Sequence, residues 1–190
     1  MRHPLAALPN LLSGFRLIAA PFLLYLGWTG HAGLFLGLLA IAFLSDAVDG
    51  LAARRLNVDS ELGTRLDSWG DLAIYLTIPL CAWWLWPDVV KREAAFVLLV
   101  LLAYIAPLIV ALVKFRRLTN YHTWAAKAVA VLMSVALFLL FIADIAWPFR
   151  FAAVALGLSA CEELAITLRL PQLQSNVRSY WHVVRQTRQR

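Results

Sequence analysis

The sequence predicts an all-α integral membrane protein with six transmembrane helices and both termini cytoplasmic. Three observations predict it. Hydrophobic residues make up 62% of the 190-residue chain and charged residues 15%, with a mean hydropathy of +0.74; a soluble domain averages about 45–50% apolar. Apolar runs of spanning length recur, set apart by short polar or Pro/Gly-containing connections. The basic residues also segregate. On a six-span reading only Lys91, Arg92 and Arg150, of 17 Lys and Arg, fall on the side away from the termini, and an excess of Lys and Arg marks the cytoplasmic side. The net charge of +6 thus reads as a topology signal, and no nucleic-acid partner is expected.

The spans follow in order. Residues 1–7 are a short tail, and the first span covers about 8–28. The apolar run continues at spanning length without a small-residue cleavage pattern, so no cleavable signal peptide is expected. Arg16 lies inside this span, where a charge is costly unless it faces an anionic pocket or snorkels to the headgroups. The pocket is the reading taken here, because Asn10 and Ser13 share the segment. Pro21 is expected to bend the helix. A turn at Thr29-Gly30-His31, with His31 a loop histidine, leads to a second span over about 32–55. Residues 56–62 form a polar connection in which Asp59 and Glu61 start the next helix.

The third span, about 63–86, ends in Trp83, Trp84 and Trp86, an aromatic belt at a membrane interface. Pro87 closes it and Asp88 to Glu93 form a charged loop. The fourth span, about 94–114, contains Pro107 and leads to the basic cluster Lys114, Arg116 and Arg117. The fifth runs from about 121 to 146 and carries Lys127 near its start. The sixth covers about 149–168, with Glu162 and Glu163 at its cytoplasmic end. Residues 1–171 read as one membrane domain. Residues 172–190 read as a basic interfacial tail, in which Arg178, Arg185, Arg188 and Arg190 alternate with Tyr180, Trp181, Val183 and Val184. Cys81 and Cys161 sit in apolar runs and read as small core residues.

The chemistry concentrates between the second and third spans. Asp46, Asp49, Asp67 and Asp71 lie in or beside apolar segments, where each ionised carboxylate costs about 2.5–3.5 kcal/mol on insertion scales. Asp46 and Asp49 are three apart and Asp67 and Asp71 four apart, so each pair shares a helix face. If the two helices are neighbours, four carboxylates converge. They stay ionised together only with cations among them. Oxygen ligands without His or Cys point to Mg²⁺, Mn²⁺ or Ca²⁺. Gly50, Ala52, Ala53 and Gly63 let a ligand approach the backbone, while Arg54, Arg55 and Arg65 suit phosphate oxygens. Together these point to a nucleotide diphosphate. Four acids at one membrane end argue against an ion-coupled transporter, which would place them at mid-membrane between repeats.

The run Asp46-x-x-Asp49-Gly50-x-x-Ala53-Arg54, eight further residues, then Gly63-x-x-x-Asp67-x-x-x-Asp71 resembles the signature of the CDP-alcohol phosphotransferases. The segment Pro9-Asn10-Leu-Leu-Ser13-x-x-Arg16 is similar to that family's first helix. The resemblance implies a divalent-metal-dependent transfer of a phosphatidyl group from CDP-diacylglycerol to a small alcohol, with release of CMP, by a homodimer in the inner membrane whose active site faces the cytoplasm. It implies two Mg²⁺ or Mn²⁺ ions on Asp46, Asp49, Asp67 and Asp71, Asp71 as catalytic base, and Gly50, Ala53, Arg54 and Gly63 against the CDP moiety. The chain looks most like the phosphatidylglycerophosphate synthases, so glycerol 3-phosphate is the expected acceptor. Asn10, Arg16, Arg65, Arg116, Arg117 and Lys127, with Lys114, are candidates to hold its phosphate. The alternatives are a phosphatidylserine or phosphatidylinositol-phosphate type synthase, or a transferase of the CDP-choline or CDP-ethanolamine type.

Overall fold

The structure, a computed structural model, describes residues 8–56, 61–115 and 124–169, with side chains except those of residues 8–10, 12–13, 49–56, 61–67 and 124–125. Among the described residues it has seven helices and no strand: α1 (Leu8–Trp28), α2 (Ala32–Leu56), α3 (Glu61–Leu85), α4 (Pro87–Arg92), α5 (Ala94–Phe115), α6 (Trp124–Ala143) and α7 (Trp147–Arg169). The six long helices match the six apolar runs to within about three residues at each end. Three of them, α5, α6 over Ala126–Ala143 and α7, are long and apolar enough to cross a membrane. The shorter apolar stretches Gly14–Trp28 and Ala32–Val48 belong to α1 and α2. The acidic and basic residues of the motif occupy the end of α2 and the start of α3.

The chain divides into two units, Met1–Val90 and Lys91–Arg190. In the first, α1 packs on both α2 and α3. Buried Phe35, Leu39 and Ala42 line one stripe of α2, and Ile74, Ile78, Cys81 and Ala82 one stripe of α3, at the three-and-four spacing of a helix face. Ala19, Ala20 and Leu23 of α1 are also buried. α1 approaches α3 closely at Gly27, where an added Cβ would lie 2.6 Å from the Cys81 sulfur and 3.3 Å from its Cα. The Cys81 thiol donates to the Leu23 carbonyl at 3.4 Å.

The first helix ends as its sequence directs. The His31 amide bonds the Leu26 carbonyl at 2.9 Å and the Gly30 amide bonds that of Gly27 at 3.3 Å. Gly30 takes φ 79°, a left-handed cap that glycine adopts without a Cβ penalty. His31 serves the turn, with Nδ1 2.8 Å from Thr29 Oγ1. At the far end Trp84 packs edge-on to Trp28, with ring centroids 5.4 Å apart, and Trp86 packs against Phe35 at 6.1 Å. The tryptophan cluster thus packs internally as well as facing outward at Trp83.

The charged loop expected over Asp88–Glu93 is instead helix α4 followed by a buried glutamate. Pro87 begins this helix, where its missing N–H costs nothing. Asp88 in the first turn and Lys91 and Arg92 in the last complement the helix dipole.

In the second unit α7 packs on α5 and on α6. Glu93, only 1% exposed, accepts from Arg150 Nε at 2.8 Å and Nη2 at 2.9 Å, and from Arg92 Nε at 3.2 Å. Arg92 also donates to Asp144 through both terminal nitrogens. Asp144 sits at φ 54°, a left-handed position that aspartate tolerates better than most residues. The Arg150 guanidinium holds the Glu93 carboxyl below its usual range against the opposing effect of burial, with Arg92 adding to it. Arg92 likewise lowers Asp144. At the other end of α5, Lys114 Nζ donates to the Thr167 and Leu168 carbonyls at 2.8 and 2.7 Å. Lys114, expected among the phosphate-binding basic residues, therefore caps the last turn of α7. Cys161 is exposed rather than a core residue.

Two outcomes follow for stability, both read by thermal unfolding in detergent. Gly27→Ala forces Cys81 to move and costs about 1–3 kcal/mol; adding Cys81→Gly restores most of the loss, and strict additivity of the two changes would refute the contact. Glu93 is ionised more readily in the native chain than in the unfolded one. Its contribution is therefore complete above the ordinary carboxylate range and disappears as pH falls through and below it. Glu93→Gln lowers the melting temperature at neutral pH and flattens its decline on acidification; an unchanged slope rules out this role.

Candidate active site

Three helices of the first unit bring charge to one point. Arg16 on α1 is 2% exposed. Its Nη1 donates to Asp46 Oδ1 on α2 at 2.8 Å and to Asp71 Oδ1 on α3. The Asp46 side chain is 48% exposed and that of Asp71 20%. The guanidinium thus lies beneath the two carboxylates, which are the accessible part of the group. Arg16 occupies an anionic pocket and does not snorkel to the headgroups. Buried Ser45 and Gly70, each one residue before an aspartate, flank the pair, and the Ser45 hydroxyl bonds the Ala42 carbonyl at 2.7 Å.

The sequence geometry expected α2 and α3 to aim their acids at a shared volume. For Asp46 and Asp71 they do, through the common partner on α1. Asp49 is on the same helix as Asp46, and Asp67 on the same helix as Asp71, but their side chains lie outside the described residues. So do those of Asn10 on α1, of Gly50, Ala53 and Arg54 near the end of α2, and of Gly63 and Arg65 at the start of α3. Arg116 and Arg117 fall outside the described residues altogether. Lys127 is an exposed residue of α6 in the second unit. Among the described residues no three His, Cys, Asp or Glu side chains come together as a metal site.

The donor chemistry nevertheless suits a hard divalent cation. Two carboxylates from separate helices meet on one positive group, and oxygen-only donor sets bind Mg²⁺ and Mn²⁺. The guanidinium stands where the site requires positive charge. Sequence reasoning located Arg16 as an anomaly, since an arginine within an apolar helix is expensive. It places the residue in an anionic pocket and among the phosphate candidates, without identifying Asp46 and Asp71 as its partners. The separations of 30 and 55 residues along the chain carry no local signal that would have identified those partners.

Comparison with known proteins identifies the family. A family model described as CDP-alcohol phosphatidyltransferase matches residues 6–159. A protein named "Putative cardiolipin synthase" from Mycobacterium bovis is 34% identical over 94 residues, covering 45% of this chain and 45% of its own. Proteins of the same name from two strains of Mycobacterium tuberculosis give the same figures. The aligned region therefore spans less than half the length of these curated relatives. No solved structure matches the chain. The family match extends from before the first helix into α7 and takes in Arg16 and all four aspartates, so the chain belongs to the CDP-alcohol phosphatidyltransferase family of membrane enzymes.

Proposed function

We propose that the protein transfers a phosphatidyl group from CDP-diacylglycerol to glycerol 3-phosphate, releasing CMP, as a divalent-metal-dependent step of phospholipid synthesis. It works as a homodimer of six-span subunits in the inner membrane, with termini and active site facing the cytoplasm. The observation that carries this reading is the burial of Arg16 against carboxylates delivered by α2 and α3. It gives the two halves of the acidic motif a common focus.

The acceptor hydroxyl attacks the phosphorus that bears the diacylglycerol, and the bond from that phosphorus to the oxygen of CMP breaks. Asp71 takes the hydroxyl proton. Arg16 holds the orientation of Asp71 through its hydrogen bond, and a general base must be positioned on the proton it takes. Two Mg²⁺ or Mn²⁺ ions, held by Asp46, Asp49, Asp67 and Asp71, would neutralise the diphosphate and the charge on departing CMP. Gly50, Ala53, Arg54 and Gly63 receive the CDP moiety, with Arg54 against phosphate. Asn10, Arg65, Arg116, Arg117 and Lys127 supply candidate contacts for the acceptor phosphate. Phosphoryl transfer depends mostly on such positioning and charge stabilisation. The acyl chains remain in lipid while the acceptor arrives from water.

A second reading follows from the name of the mycobacterial relatives: the acceptor is the hydroxyl of phosphatidylglycerol and the product is cardiolipin.

Purified protein with CDP-diacylglycerol and Mg²⁺ or Mn²⁺ is expected to release CMP with glycerol 3-phosphate in preference to inositol phosphate, serine or phosphatidylglycerol. Release with phosphatidylglycerol alone selects the second reading, and release with no acceptor at all sinks both. Asp71→Asn is expected to lower kcat by about 10²–10⁴-fold without unfolding the protein, and EDTA to stop turnover until Mg²⁺ is restored. Full activity of the variant would remove Asp71 from the role of base.

A further inference from the structure

We propose that Arg16 is a resident counter-cation, a positioning residue that competes with divalent cations for Asp46 and Asp71. The inference rests on the metal-dependent reading above and deepens it. Three features support it. Arg16 reaches carboxylate oxygens on two different helices through a single nitrogen. Oxygens already accepting a charged N–H are the oxygens an incoming cation needs. The exposures also run in order, from 2% at Arg16 to 20% at Asp71 and 48% at Asp46. A cation arriving at the accessible side therefore meets the carboxylates first, with the fixed positive charge behind them.

Two effects then oppose each other. The guanidinium keeps the carboxylates gathered when α1, α2 and α3 pack, because like charges drawn together need a cation between them. The same guanidinium repels a divalent ion and holds part of its ligand set. Loading the site requires Arg16 to give up hydrogen bonds, so metal affinity is held below what four aspartates alone would produce. A residue with only a structural role behaves differently. Removing it loosens the site, and both stability and metal affinity fall.

The test uses full-length protein in detergent micelles. Mn²⁺ binding is read from the electron paramagnetic resonance signal of free Mn²⁺, and melting temperature is measured in parallel without metal. Arg16→Gln is expected to melt lower than wild type yet bind Mn²⁺ about tenfold more tightly, a 1.4 kcal/mol change. Arg16→Lys keeps a positive charge without the planar fork and is expected to fall between the two. If Arg16→Gln does not fold, Arg16→Lys decides: tighter binding supports the competition and equal or weaker binding overturns it. Affinity that stays level or falls together with stability in Arg16→Gln overturns it as well. Absence of Mn²⁺ binding by the wild-type protein would instead overturn the metal-dependent function itself, and this inference with it.

Discussion

One buried guanidinium ties the first unit together. Arg16 is the shared partner of an aspartate on α2 and an aspartate on α3. An arginine inside an apolar helix, or two carboxylates drawn together at the end of apolar helices, would each be expensive alone. Placed together, each offsets the cost of the others. The packing of α1 on both neighbours makes the encounter possible. Gly27, set against Cys81, lets α1 and α3 approach closely.

The second unit solves a similar problem with different residues. Glu93 is buried beneath Arg150 and Arg92, and Arg92 reaches on to Asp144. The start of α5, the end of α6 and the start of α7 are thereby joined by charge-assisted hydrogen bonds. Lys114 ties the end of α5 to the last turn of α7. Neither group lies in the acidic motif. Both show that charged residues near membrane helix ends can act as fasteners.

For the family's chemistry the consequence lies in how the acids are kept ready. On the function proposed above, the site must hold negative charge before a cation or a diphosphate arrives. An internal cation reduces that repulsion without filling the accessible side of the carboxylates. Asp71 is held by the same guanidinium from the far side, so its orientation is fixed before any ligand arrives.

The sequence by itself determined the class of the molecule, the six long helices and their ends, and the spacing that marks the acidic motif. These are properties of local composition, periodicity and turn residues such as Gly30, and a chain displays them without folding. The family resemblance rests on the same local spacing, and the family match over residues 6–159 agrees with it. Only the tertiary structure decided that Arg16 belongs with Asp46 and Asp71, that Glu93 is buried with Arg150, and that Lys114 serves a helix end. Those partners lie 30 to 57 residues apart in the chain. No periodicity links them. They meet because packed helices leave a charged group in an apolar interior no cheaper neighbour than one of opposite sign.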